Sequence, residues 1–218
     1  MEFEKVVTSR HSVREFSNLA IDKQTICGII QLAQRAPSWV NSQPWKVYAA
    51  TGKPLKDIKS AFVKNETDGL KPNSDFPVMH RNDWSENAQE NMKQWRHEIV
   101  HHFESFDEAH TEMTDASENL DHSPVILYLT IPKKSPLWSV FDVGAFAQTI
   151  MLAAKDKGLD TIPTYNSVRY PDVLRKILNI PTDETIVVGI SIGYSKDSLI
   201  NSYKSKREPI DDIFKFIK

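Results

Sequence analysis

Apolar positions recur along this chain with two periods, and the changes between them mark out its elements. Residues 3 to 9 read as the last turns of a short helix. Asp22 is placed to cap a helix running to about Arg35, with Ile26, Ile29, Ile30 and Ala33 on one face. Trp45 to Thr51 alternates as a strand does, Gly52 turns, and Pro54 opens a helix at a position where its missing N–H matters little. Val125 to Ile131 is a continuous apolar run closed by Pro132, which predicts a central strand covered on both faces. Pro136 to Ser139 turns, and Asp142 is expected to cap a long helix carrying Val143, Phe146, Ala147, Ile150, Met151 and Ala154, stopped by Gly158. Leu159 to Asn166 reads as a strand end turning at Pro163. Pro171 begins a helix with Val173, Leu174, Ile177 and Leu178, and Ile186 to Ile192 forms another buried strand.

A long excursion separates the first strand from the second. Asn65 to Trp84 is rich in Asn, Asp, Pro and Gly, the composition of a mobile lid or insertion. Asn87 to about Ala109 is expected to be one polar helix with Met92, Trp95, Ile99, Phe103 and Phe106 as a narrow apolar stripe, followed by an acidic loop from Thr111 to Asp121. Within that helix, His97-Glu98-Ile99-Val100-His101 matches the H-E-x-x-H arrangement that holds zinc in peptidases. At ~100° per residue, however, His97, His101 and Glu104 fall opposite the apolar stripe. Neither Glu118 nor His122 is fixed as a third ligand, so a solvated helix face is the reading taken and no metal is expected.

The order of helices, strand, helical excursion, strand, helix, strand and tail is that of an α+β protein. With 218 residues and 40% hydrophobic composition, it is most simply a single domain, 1–218, with the excursion at about 65–121 as an active-site cover. A net charge of -2 and the lack of a basic stripe interleaved with aromatics argue against nucleic acid as a partner. No apolar run looks long enough for a bilayer, and no basic flank precedes an apolar stretch at the N-terminus, so a cytoplasmic location without membrane association is expected. The single cysteine, Cys27, sits among Ile26, Ile29 and Ile30 and is expected to be a core thiol. No G-x-G-x-x-G follows a strand, and neither a phosphate loop nor a G-x-S-x-G elbow is present.

Candidate chemistry concentrates in three places. Ala36 to Trp45 holds two prolines that bar a continuous helix, and Ser38, Asn41, Ser42 and Gln43 set hydroxyls and amides between Trp39 and Trp45. Such a stiff polar loop suits the edge of a flat, heteroatom-rich ring. Arg10-His11-Ser12-Val13-Arg14 supplies planar forks and a hydroxyl, which suit a terminal phosphate. Lys204, Lys206 and Arg207 form a second basic group near the C-terminus.

In register along the chain, Arg10 to Arg14, Ala36-Pro37-Ser38 with Asn41 to Trp45, the Asp142 to Gly158 helix with Gln148 and Leu152, and Arg207 with Pro209 resemble the flavin-dependent nitroreductase family over nearly everything outside residues 60 to 120. The resemblance implies a central, mostly antiparallel sheet flanked by helices, in an intertwined homodimer with FMN at each of two shared sites. By the family pattern Arg10, His11, Ser12 and Arg14, with Lys204, Lys206 or Arg207, would hold phosphate and ribityl chain. Pro37, Ser38, Trp39, Asn41 and Gln43 would reach the ring from the other subunit, and Pro163, Thr164 and Tyr165 would face the flavin N5. The activity implied is hydride transfer from NADH or NADPH to a small conjugated acceptor such as a nitro compound or quinone, with no catalytic acid, base or nucleophile to nominate. The alternatives are a non-catalytic flavin-binding protein and a zinc hydrolase built on His97 and His101.

Overall fold

The computed structural model describes residues 1–218. The chain runs α1 (Phe3–Ser9), α2 (Lys23–Ala33), β1 (Lys46–Thr51), α3 (Gly52–Thr67), α4 (Glu86–Val100), α5 (Phe106–Glu118), β2 (Val125–Pro132), α6 (Leu137–Asp156), β3 (Asp160–Thr164), α7 (Pro171–Leu178), β4 (Glu184–Gly193), α8 (Leu199–Ser202) and α9 (Ile210–Ile213). The four strands form one antiparallel sheet in the order β1-β2-β4-β3, with a register shift at Leu129/Thr130.

β2 is buried from Val125 to Ile131 because helices cover both sides of it. Leu127, Leu129 and Ile131 face α2 and α6, where Ile29, Phe146 and Ile150 pack with them. Ile126 and Tyr128, offset by one residue, face α3 and α7 through Ile58, Phe62 and Leu174. A strand's period of two, with both faces apolar, reads as the unbroken hydrophobic run seen in the sequence.

The excursion differs from expectation. The single helix foreseen over 87–109 is broken between His101 and Ser105, and the acidic segment after it is helix α5 rather than a loop. Ser105 starts the new helix, its hydroxyl accepting from the Glu108 N–H at 3.1 Å, while the Glu108 carboxylate accepts from the Glu104 N–H at 3.0 Å. This is a variant of the Ser-x-x-Glu capping box in which the carboxylate reaches the N–H one residue before the cap. Phe106 therefore leaves the apolar stripe and is exposed, while Ile99, Phe103, Ala109 and Ala116 make a small separate core with Ile200 and Tyr203.

Residues 70–76, expected to be mobile, are tied to the body. Asp75 takes both Nη atoms of Arg175 at 3.1 and 2.5 Å and the Ile186 N–H at 2.7 Å, and the Tyr170 hydroxyl donates to the Leu70 carbonyl at 3.0 Å.

Other expectations are also corrected. α6 begins at Leu137 behind Pro136, so Asp142 is an internal, buried residue and not the cap. Contrary to the expectation that no apolar run could span a bilayer, the 20-residue α6 contains a stretch of mean hydropathy 1.4, long and apolar enough to cross a membrane; half of that stretch is buried within the fold. Gly158 ends this helix segment at φ +77°, where a side chain would be strained. Cys27 is exposed, lying off the α2 face that buries Ile29 and Ala33. Pro163 lies inside β3, paired with Ile190, which an edge strand tolerates, and the chain turns after Thr164.

Removing the Asp75 carboxylate strands the partly buried Arg175 guanidinium and the Ile186 N–H together. Asp75→Ala is expected to lose about 2–4 kcal/mol of folding stability, measured by urea denaturation.

Candidate functional site

The Arg10–Phe16 segment has no regular structure of its own, and its place is set from two sides. On one side it runs along β3, with a bridge between Ser12 and Thr161 and the Val13 N–H donating to the Thr161 carbonyl at 3.2 Å. Val13, Phe16 and Ile162 bury together, which turns Arg14 the other way. On the other side stands Asn201, buried on α8. Its Oδ1 accepts from the N–H groups of Arg14 and Glu15 at 2.7 and 3.1 Å, and its Nδ2 donates to the carbonyls of Glu15 and Lys196 at 2.7 and 3.0 Å and to the Ser195 hydroxyl at 3.2 Å. One amide thus joins the first basic group to the chain that leads directly into the second.

Arg10 and Arg207 are brought close together. Burial, and then the charge of Arg207, hold Arg10 below the ordinary arginine value. Arg14 is lowered by burial as well, offset in part by Asp121 and Tyr203, and its guanidinium lies 5.9 Å from the centre of the Trp95 ring. The arginines that do form carboxylate ion pairs are Arg169 and Arg175. Arg10, Arg14 and Arg207 have none; Arg207 donates only to Ser205 and to the Lys206 carbonyl, and Arg14 to the Ser12 carbonyl. Arg14 has Asp121 as a nearby counter-charge, whereas setting Arg10 and Arg207 together without one is unfavourable unless an anion completes the set, and a phosphate monoester does so.

Two further basic candidates are placed differently. Lys206 is paired with Glu98 of α4 at 2.7 Å, and the His11 ring nitrogens lie against backbone carbonyls, of Ser9 at 3.1 Å and Asn201 at 2.9 Å, so that its N–H is engaged within the fold in either tautomer. Lys204 is exposed.

A cavity of about 470 Å³ lies beside this segment. Arg14, Asp121, Ile162, Thr164 and Asn166 line its inner side, and residues of α4 and α5, among them Trp95, Arg96, Phe106 and Met113, line the outer side. Glu66 also reaches it but is ion-paired to Arg169. Thr164 is held by Ser167, whose hydroxyl donates to its carbonyl at 2.8 Å, and Tyr165 beyond it is exposed.

The Pro37–Gln43 loop is not at this cavity; it lies across α6. The Asp142 carboxylate accepts from the Trp39 N–H at 3.2 and 3.1 Å and from the Ser42 hydroxyl at 3.4 Å, and the Gln43 N–H donates to the Ser38 hydroxyl at 3.0 Å. Val40, Asn41 and Gln43 have φ of 49°, 59° and 45°. Left-handed backbone at a β-branched valine is strained, and Asp142 is the anchor that holds it.

The H-E-x-x-H helix does not assemble a metal centre. The rings of His97 and His101 stack with centres 4.0 Å apart, Glu98 is occupied by Lys206 and Gln94, and His122 is paired with Asp115 at 2.6 Å. No group of three or more His, Cys, Asp and Glu side chains converges on a common point.

Three residues of the site escaped the sequence reading: Asn201, Asp121 and Asp142. Asp121 sits in a run of left-handed residues, Leu120, Asp121 and His122, with φ of 48°, 60° and 53°. Its carboxylate is buried and takes one hydrogen bond, from the Ser191 hydroxyl at 3.0 Å. Burial pushes it up from 3.8 to about 7, against that hydrogen bond and the charges of Arg14, Lys59 and His122.

An α+β sheet covered by helices on both faces, with Arg10 and Arg207 close together at one edge and an apolar-walled cavity beside Arg14, has the layout of a non-Rossmann protein that takes a phosphate-bearing ligand. The sequence profile of the Nitroreductase family matches residues 7–194, and the chain belongs to that family. It is 30% identical over 212 residues to 4-nitrobenzoate reductase of Pseudomonas putida, covering 95% of this chain and 92% of that one, and 28% identical over 215 residues to 4-nitrobenzoate reductase of Nocardioides sp. (strain LMS-CY), covering 96% and 87%. Its fold is shared with the FMN-dependent nitroreductase NfnB from Mycobacterium smegmatis, solved in complex with NADPH, at a TM-score of 0.89 and 24% identity over 99% of this chain and 97% of that one.

The raised Asp121 value fixes the sign of a pH effect. Between 3.8 and about 7 the folded protein keeps a proton that the unfolded chain has released, so this group's contribution to stability falls as pH rises through that window and is level above it. Asn tolerates the left-handed backbone and can still accept from Ser191. Asp121→Asn is therefore expected to be indistinguishable from the parent near pH 4 and more stable by on the order of 1–4 kcal/mol above pH 7, read by urea denaturation across that range.

Proposed function

We propose that this chain is an FMN-dependent oxidoreductase that uses NADH or NADPH to reduce nitro compounds, working as a homodimer in the cytoplasm. The observation that carries the reading is the close approach of Arg10 and Arg207, neither with a carboxylate partner, on the segment whose next arginine, Arg14, lines a cavity floored by Ile162 and Thr164. Arg10, Ser12 and Arg207, with Lys204 within reach on the tail, would hold the phosphate. The names of the two nitrobenzoate reductases support a nitroaromatic acceptor.

When bound, FMN supplies the hydride-transfer chemistry, and the protein supplies position and electrostatics. Arg14 places a half-buried positive charge at the inner side of the cavity, where it would stabilise negative charge on a reduced ring. Thr164 is fixed by Ser167 and offers a rigid backbone floor. α4 and α5 are the cover: their apolar side chains exclude water from the acceptor and set its size.

The exposed surface supports the dimer. Leu137, Trp138 and Phe141 on the outer face of α6 are 86%, 53% and 65% exposed, and Trp138 stacks on Trp39 with centres 4.8 Å apart. Ile210, Ile213, Phe214, Phe216 and Ile217 add an apolar C-terminal segment with no core to enter. A patch of that kind marks an interaction surface. A second copy packed on α6 would also carry its own Pro37, Ser38, Trp39, Asn41 and Gln43 toward the cavity, which explains why that loop stands away from the site within one chain.

A visible spectrum of the purified protein, followed by NADPH without oxygen, tests the reading. A bound-flavin spectrum that bleaches is the expected result, and a colourless protein that fails to take up added FMN would overturn it. Arg10→Ala and Asn201→Ala are expected to weaken FMN binding by about 10- to 100-fold and to weaken riboflavin, which lacks the phosphate, far less. Equal losses for the two flavins would remove the phosphate role from these residues.

A further inference from the structure

Arg96 and Val100 of α4 belong to the wall of two cavities. One is the cavity over Arg14 and Thr164; the other, of about 640 Å³, is open to solvent and is bordered by Arg81 and Asn82 of the short turn Arg81–Asp83. That turn is fastened to the helix by Gln89, whose side-chain amide donates to the carbonyls of Asn82 at 3.3 Å and Trp84 at 2.7 Å. The outer cavity is lined by Arg81, Lys93, Arg96, His97 and His101 on the basic side and by Glu86 and Glu90 on the acidic side.

The two arginines are left over. Glu86 and Glu90 share the cavity with them, yet neither Arg81 nor Arg96 forms an ion pair, and the one pair present is a long contact of 3.4 Å between Lys93 and Glu90. An ordinary solvated helix face satisfies its charges by i,i+3 and i,i+4 pairing, as Lys53 does with Asp57. Here two guanidinium groups without a carboxylate partner line an open volume that shares Arg96 and Val100 with the wall of the inner cavity.

We propose that this outer cavity holds the 2′-phosphate of NADPH and so makes the enzyme select NADPH over NADH. The inference rests on the proposed nicotinamide-dependent activity and adds the choice of donor. A phosphate monoester carries nearly two negative charges and three strong acceptor oxygens, which match two guanidinium groups and an ammonium. NADH has a hydroxyl at that position and gains nothing from them. The position of Arg96 between the cavities lets one elongated ligand use both, its nicotinamide in the inner and its phosphorylated ribose in the outer.

The test uses the FMN-loaded protein and the variants Arg81→Gln, Lys93→Gln and their combination. All the replaced side chains are exposed, so folding is preserved and is checked by melting temperature. The parent is expected to have the higher kcat/KM with NADPH. The double variant is expected to lose about tenfold or more of that value while its value with NADH stays the same. Adenosine 2′,5′-bisphosphate, titrated by calorimetry, is expected to bind the parent and to bind the double variant correspondingly more weakly, with adenosine 5′-monophosphate unaffected.

Equal use of the two donors by the parent, or equal losses for both in the variants, would overturn the proposal. So would variants that lose kcat/KM for 4-nitrobenzoate but not for nitrobenzene with the donor ratio unchanged, because the cations would then serve an acceptor carboxylate. Failure of the activity itself is distinguishable: the protein would then bleach with neither donor, while the calorimetric titration would still report on the cavity.

Discussion

Burial of β2 on both faces is the constraint from which the architecture follows. Once Leu127 and Leu129 are committed to α2 and α6, and Ile126 and Tyr128 to α3 and α7, the sheet is a shared wall between two apolar layers. A ligand cannot enter such a wall. The open positions are at its edge, and β3 is the edge to which the Arg10–Phe16 segment attaches through Ser12 and Thr161. The site sits there because it is the place where backbone of fixed position meets space.

The charged part of the site is built by contacts far apart in sequence. Asn201 satisfies four backbone groups and a hydroxyl at once, and its neighbours in the chain lead to Arg207. Its burial is tolerable because both the amide oxygen and the amide nitrogen are fully engaged. Arg10 and Arg207 are thereby held near each other against their repulsion, which is the electrostatic preparation an anion site requires. Asp142 has the analogous part for the strained loop at Val40, acting through the Trp39 N–H from within an apolar helix.

The excursion contributes a second small core rather than a loose flap. Ile99, Phe103, Ala109 and Ala116 pack on Ile200 and Tyr203, so the excursion is anchored to the same C-terminal stretch that carries the second basic group. Residues 70–76 are secured to α7 and β4 by Asp75. The wall of the cavity on that side is therefore two helices with a fixed base, from which Trp95, Arg96, Phe106 and Met113 line it.

The sequence by itself determined the α+β order, the doubly covered strand, the two basic groups and the stiff Pro37 loop, because each rests on local patterning: a period of two or 3.6, a proline, a run of arginines. The break in the excursion has a local signal too, Ser105-x-x-Glu108, but the apolar stripe runs on to Phe106 and predicts one continuous helix. Only the tertiary structure decided that Asp142 anchors a loop about a hundred residues away instead of capping its own helix, that Lys206 and His11 are occupied while Arg10, Arg14 and Arg207 are left free, and that Asp121 is buried beside Arg14. Charge pairing and burial depend on distance in space, and a one-dimensional pattern records only distance along the chain.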